Sequence, residues 1–170
     1  MTVVSVDQTA RRSGSAPTLS GAQATRPDSF DLLATSVVML DTRNDFEVDV
    51  GKFANAIDWR ISKFTEFPQA VQAHRAALEG KTVVSYCTGG IRCEILSVVM
   101  KNRGFKEVYQ IKGGIVRYGN KFGDDGLWEG SLYTFDDRLT IDFSDHTKLI
   151  GECAECKGAT KQFRNCQKAE

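Results

Sequence analysis

The apolar run Thr82-Val83-Val84-Ser85-Tyr86 leads without a break into Cys87-Thr88-Gly89-Gly90-Ile91-Arg92 and then into a helix-like segment, Cys93 to Arg103. A strand that is apolar on both pleat faces has to be covered on both sides, which is the habit of parallel sheets. The alternation recurs along the chain. Ser36 to Asp41 is another continuous apolar strand, and Pro68 fits the first turn of a helix through Gln69-Ala70-Val71-Gln72-Ala73 to Leu78, ended by Gly80. Gly104 stops the Cys93 to Arg103 helix before a strand over Glu107 to Ile111, and Pro27-Asp28-Ser29 supplies an N-cap for a short helix over Phe30 to Ala34. This pattern predicts an α/β, three-layer fold with a central, mainly parallel sheet and helices on both faces. From Gly123 onward it gives way to Gly-rich and aromatic sequence, an irregular C-terminal extension. The chain therefore divides into a flexible segment over 1–29, an α/β domain over 30–122 and an extension with a cysteine cluster over 123–170.

With 41% hydrophobic residues in 170, one ordinary core is expected. Lysine plus arginine balance aspartate plus glutamate at 22 each, so no global field draws the protein to nucleic acid or anionic membrane, and any RNA contact must be local. No apolar run approaches the roughly 18 residues of a membrane span, and the N-terminus has no apolar core of a secretion signal. Arg11-Arg12 among Ser and Thr hints at a transit peptide, but Asp7 opposes it and an unstructured leader is expected. Five cysteines at these spacings do not form a disulfide framework, which makes a reducing cytoplasm the expected compartment.

Cys87 is read as a nucleophile. The first N–H groups of a helix lack intrahelical acceptors and can converge with loop N–H groups on one anion. A cysteine placed there has its thiolate favoured over the free thiol, whose pKa is about 8.5. Gly89 and Gly90 allow the positive φ angles of a tight ring, and Thr88 and Ile91 complete the loop. Arg92 adds a fixed charge to hold the loop and draw in an anionic substrate. Cys93 opens the helix, so it is expected to face away; the alternative is a resolving role through a Cys87–Cys93 bond.

A second block, Leu40-Asp41-Thr42-Arg43-Asn44-Asp45-Phe46-Glu47, joins the cysteine loop in resembling the rhodanese superfamily. In that resemblance an Asp-x-Arg element (Asp41, Arg43) comes off a strand near the active loop, and a helix bearing Glu47 packs alongside in support. The four residues between Cys87 and Arg92, against five in phosphatase relatives, imply a small ring suited to a persulfide. Gly104-Phe105-Lys106-Glu107-Val108-Tyr109-Gln110, Gly113-Gly114-Ile115, Trp128-Glu129-Gly130 and Phe135-Asp136-Asp137-Arg138 make the chain similar, from about Phe30 to Cys166, to the tRNA uridine hydroxylases. That family makes 5-hydroxyuridine at the wobble position in an oxygen-dependent reaction. Its members carry an N-terminal domain where residues 1–29 stand here. Ile95-Leu96 replaces their usual Lys-Ala, Leu132 replaces a frequent cysteine, and the chain stops about where they supply a cysteine after Cys166.

The main expectation is a sulfurtransferase: Cys87 takes sulfur from thiosulfate or a protein persulfide and passes it to a thiol or protein acceptor, with no cofactor required. The alternatives are tRNA uridine hydroxylation, with tRNA as partner, and a non-catalytic persulfide carrier. No membrane partner is expected. Cys153-Ala154-Glu155-Cys156 with Cys166 is an incomplete zinc set, for which His146 is a candidate fourth donor, against three reduced thiols. Asp136-Asp137-Arg138 reads as an ion-pair turn or an aid to the site, and His74 as a surface residue.

Overall fold

The computed structural model describes residues 3–4, 36–163 and 166. Its centre is a four-stranded, fully parallel sheet in the order β1 (Val3–Val4), β5 (Val108–Ile111), β4 (Thr82–Tyr86), β2 (Val37–Asp41). Alternation along the strands sends Leu40 and Val83 to one face and Val84 and Tyr86 to the other. On the first face they meet Phe67 and Val71 of α2 (Phe67–Ala73), Leu78 of α3 (Arg75–Leu78), and Leu96 and Met100 of α4 (Ile91–Asn102). The second face is covered by Ile115, Tyr118 and Phe122 of α5 (Gly114–Phe122) together with Phe53, Trp128 and Leu132. Burial of each such side chain is worth about 1.5–3 kcal/mol. The expected three layers are therefore present, and β4, inside the sheet, delivers Cys87 at its carboxyl end, where open α/β sheets present their sites.

Several elements differ from the sequence reading. The helix expected from Pro68 to Leu78 is two pieces, α2 and α3, broken at His74, whose ψ of 15° is not helical. The exposed His74 ring lies flat on Trp59, with centroids 4.9 Å apart, and this stack holds the break. α4 begins at Ile91, two residues before the expected start, because Gly90 takes φ +107° and turns the chain into the helix at once. α5 was not anticipated, nor were the antiparallel pairs of β3 (Gly51–Phe53) with β6 (Trp128–Gly130) and of β7 (Leu132–Tyr133) with β8 (Thr140–Ile141). The short helix expected over Phe30 to Ala34 lies outside the described residues. Short α1 (Asp45–Val50) follows β2 and carries Glu47, as the rhodanese resemblance implied.

Candidate active site

The loop after β4 is held from below and from both sides. Thr42 donates from its backbone N–H and its hydroxyl to the Tyr86 carbonyl, at 3.0 and 2.8 Å. Ile115 and Val116, at the start of α5, donate their N–H groups to the carbonyls of Cys87 and Thr88, at 3.0 and 3.1 Å. The approach is so close that a Cβ on Gly114 would sit 2.5 Å from both of those oxygens. On the other side the Gly90 N–H, at the mouth of α4, donates to the Cys87 sulfur at 3.0 Å.

Cys87 is 2% exposed, and burial alone would raise its pKa. The opposite happens. A hydrogen bond from the Cys93 thiol, then the N–H groups of Cys93 and Gly90 and the charge of Arg92, lower it to about 5. Cys93 itself is pushed up, first by burial and then by its donation to Cys87, and its sulfur also lies 3.4 Å from the Thr42 hydroxyl. The expectation that Cys93 faces away is thus corrected. With α4 starting at Ile91, Cys93 is the third helical residue and turns inward. Both cysteines are free thiols.

Arg92 is locked by Glu47. Its two terminal nitrogens lie 2.5 and 2.8 Å from the two carboxylate oxygens, and Nη2 also donates to the Thr88 hydroxyl at 3.2 Å. Glu47, fully buried, is fixed in turn by the Asn44 N–H at 3.1 Å. Arg43 is buried one layer deeper. It grips Asp41 through Nε and Nη2 at 2.9 and 2.6 Å and donates to the carbonyls of Glu47 and Gly51 at 3.2 and 2.7 Å. Its guanidinium also lies over Tyr86 and Trp128. Asp41, Arg43 and Glu47 therefore act as supports beneath the loop, and only Arg92 reaches the cleft.

That cleft has a volume of about 710 Å³ and is bordered by Cys87, Asn44, Phe64, Ile91, Arg92 and Phe135. Phe135 comes from the extension and stands 5.8 Å from the Arg92 guanidinium. Neither Phe135 nor Phe64 was singled out in sequence as lining the site, and an aromatic in an irregular stretch carries no local signal that it does. A thiolate set beside a cation, facing a wide cleft with aromatic walls, can add covalently to an electrophile.

Asp136 and Arg138 pair with each other in solvent at 2.5 Å, which is the ion-pair turn. The Arg138 guanidinium holds the Asp136 carboxyl at about 2. In the tail the sulfurs of Cys153, Cys156 and Cys166 converge, and His146 does not join them.

Two family matches cover most of the chain. Residues 29–121 match the rhodanese-like domain, and residues 129–170 match the family described as rhodanase C-terminal. Among curated proteins, a tRNA uridine(34) hydroxylase of Arthrobacter is 55% identical over 131 residues, 76% of this chain and 44% of the relative. Proteins of the same name from Corynebacterium urealyticum and Rhodococcus opacus are each 52% identical, over 79% and 76% of this chain and 46% of each relative. The chain thus spans less than half the length of the curated relatives it matches. These names overturn the expectation of a generic sulfurtransferase: relatives 52–55% identical to this chain are named for uridine hydroxylation. The match over residues 29–121, and the geometry of the loop within it, make this chain a member of the rhodanese-like family, extended by a rhodanase C-terminal segment.

Proposed function

We propose that the chain carries the reactive site of a tRNA uridine(34) hydroxylase, with tRNA as substrate and the cytoplasm as the place of work. The observation that carries this reading is the pairing of an ionised Cys87, pKa about 5, with an open, aromatic-walled cleft. It is supported by the names of relatives 50–55% identical. Uracil is a flat ring with an electrophilic C6. Addition of the Cys87 thiolate there forms an S–C6 bond and moves the ring's electron pair toward C5, the carbon that becomes hydroxylated. The forked Glu47–Arg92 pair keeps the guanidinium beside the ring, where its remaining donors meet the carbonyl oxygen that takes up charge. Phe135 and Phe64 offer faces for stacking a base, worth about 1–3 kcal/mol per base. Over the whole reaction one oxygen atom of O₂ becomes the C5 hydroxyl and the other leaves as water, with two electrons from an external reductant and two protons from solvent; loss of the C5 proton then expels the Cys87 thiolate from C6 and restores the ring double bond.

Nucleoside analysis of tRNA from hydroxylase-deficient cells expressing this chain tests the reading. 5-Hydroxyuridine is expected with the wild-type chain and not with Cys87→Ser. Its absence with a soluble, folded wild-type chain would remove the activity from this polypeptide.

A further inference from the structure

We propose that Cys153, Cys156 and Cys166 bind one zinc ion as thiolates. This site is separate from the chemistry at Cys87. The three sulfurs all lie within 4.8 Å of one another, and no histidine or carboxylate among the described residues joins them. Zinc–sulfur bonds of about 2.3 Å in a tetrahedron place sulfurs about 3.8 Å apart, within reach of small side-chain movements.

The backbone is already shaped for thiolate ligands. Glu152 and Ala159 pair as an antiparallel bridge, the Cys153 N–H donates to the Gly158 carbonyl at 2.9 Å, and the Lys157 N–H donates to the Cys153 carbonyl at 3.1 Å. Between them the chain turns so tightly that Lys157, a residue with a Cβ, is held at φ +57°. The turn brings the sulfurs of Cys153 and Cys156 within 4.8 Å of each other and of the Cys166 sulfur.

A second observation is independent of the sulfurs. From Glu152 to Phe163 no described residue is buried, so this hairpin has no core of its own. A segment that cannot bury apolar surface does not offset its ordering entropy, and metal coordination is a known source of that free energy. Three sulfurs are also an odd number, which one disulfide leaves incomplete, and a soft all-thiolate set selects zinc over hard cations. The three protons released on binding go to solvent.

The ion would also fix the aromatic wall of the cleft. Phe163, three residues before Cys166, stands edge-on to Phe46 of α1 and to Tyr133, at 6.1 and 5.0 Å; Tyr133 in turn meets Phe135 at 5.0 Å. Elemental analysis and thiol titration of the untagged full chain test the site. About one zinc per chain is expected, with Cys156→Ala lowering it at least tenfold and Cys87→Ala leaving it unchanged. Cobalt(II) loading is expected to give the sulfur-to-metal absorption of a tetrahedral thiolate site. Chelation is expected to expose three further thiols and speed amide exchange in residues 151–163 while β2, β4 and β5 stay protected. Less than about half an equivalent of zinc in wild-type protein with a protected sheet, or full zinc in Cys156→Ala, would overturn the site.

Discussion

Arg43 and Arg92 each close a two-pronged ion pair on a carboxylate of the segment 41–47, yet one guanidinium is sealed under the sheet and the other borders the cleft. Four of the five Arg43 donors are used, on Asp41 and on the carbonyls of Glu47 and Gly51. Arg92 uses its donors on Glu47 and Thr88 and keeps the rest toward the cleft. The same chemistry thus serves two ends. Where all donors face protein, the charge braces the scaffold; where some are left over, it can meet substrate.

The comparison breaks first at Arg43. Arg43→Met should strand the buried Asp41 carboxylate and cost about 3–5 kcal/mol, read as a lower urea midpoint at unchanged slope. A loss under about 1 kcal/mol would mean that Arg43 is no brace. Arg92→Lys should behave in the opposite way: stability stays near wild type, while the proposed hydroxylation falls at least tenfold, about 1.4 kcal/mol in the barrier, because an ammonium cannot fork onto Glu47 and substrate together. Normal turnover in that variant would refute the geometric role.

A third test sharpens the part played by the neighbouring thiol. Alkylation of Cys87 should rise to half its plateau near pH 5, and in Cys93→Ala that midpoint should move up toward the free value of about 8.5, because the leading donor is gone. The folded pKa lies below the unfolded one, so ionised Cys87 contributes stability that is present in full above about pH 8.5 and is lost as pH falls through about 5. Cys93→Ala should narrow that window from below. An unchanged alkylation midpoint would assign the acidity to the loop amides instead. The smallest effect belongs to Phe135→Leu, which removes a cation–π contact worth about 0.5–1 kcal/mol; substrate binding should weaken a few-fold at constant turnover, and a collapse in turnover would give Phe135 a larger part than a wall.

The cysteine loop was legible because its determinants are consecutive: a strand, two glycines and an arginine within one turn of chain. The Glu47–Arg92 pair spans 45 positions, and only the rhodanese resemblance brought its two halves together before the fold did. The orientation of Cys93 was misread through a helix start misplaced by two residues, which rotates every later side chain by roughly half a turn. α5 hid behind Gly113-Gly114, which resembles a turn, although Ile115, Tyr118 and Phe122 have the spacing of one helical face. The convergence of the tail thiols was foreshadowed by the two-residue gap between Cys153 and Cys156, whereas His146 had only proximity along the chain to recommend it.

The close fit of Gly114 under the cysteine loop makes a packing position into a chemical one. The carbonyls of Cys87 and Thr88 rest on the start of α5 with no room for a methyl group. Any residue larger than glycine at 114 must push the Cys87 backbone away from α5, and with it the sulfur from the N–H of Gly90. The acidity of the Cys87 thiol is therefore tied to a residue packed on its backbone, so a search for similar sites by cysteine and arginine alone would admit chains whose thiol sits in the right place in sequence and the wrong place in space.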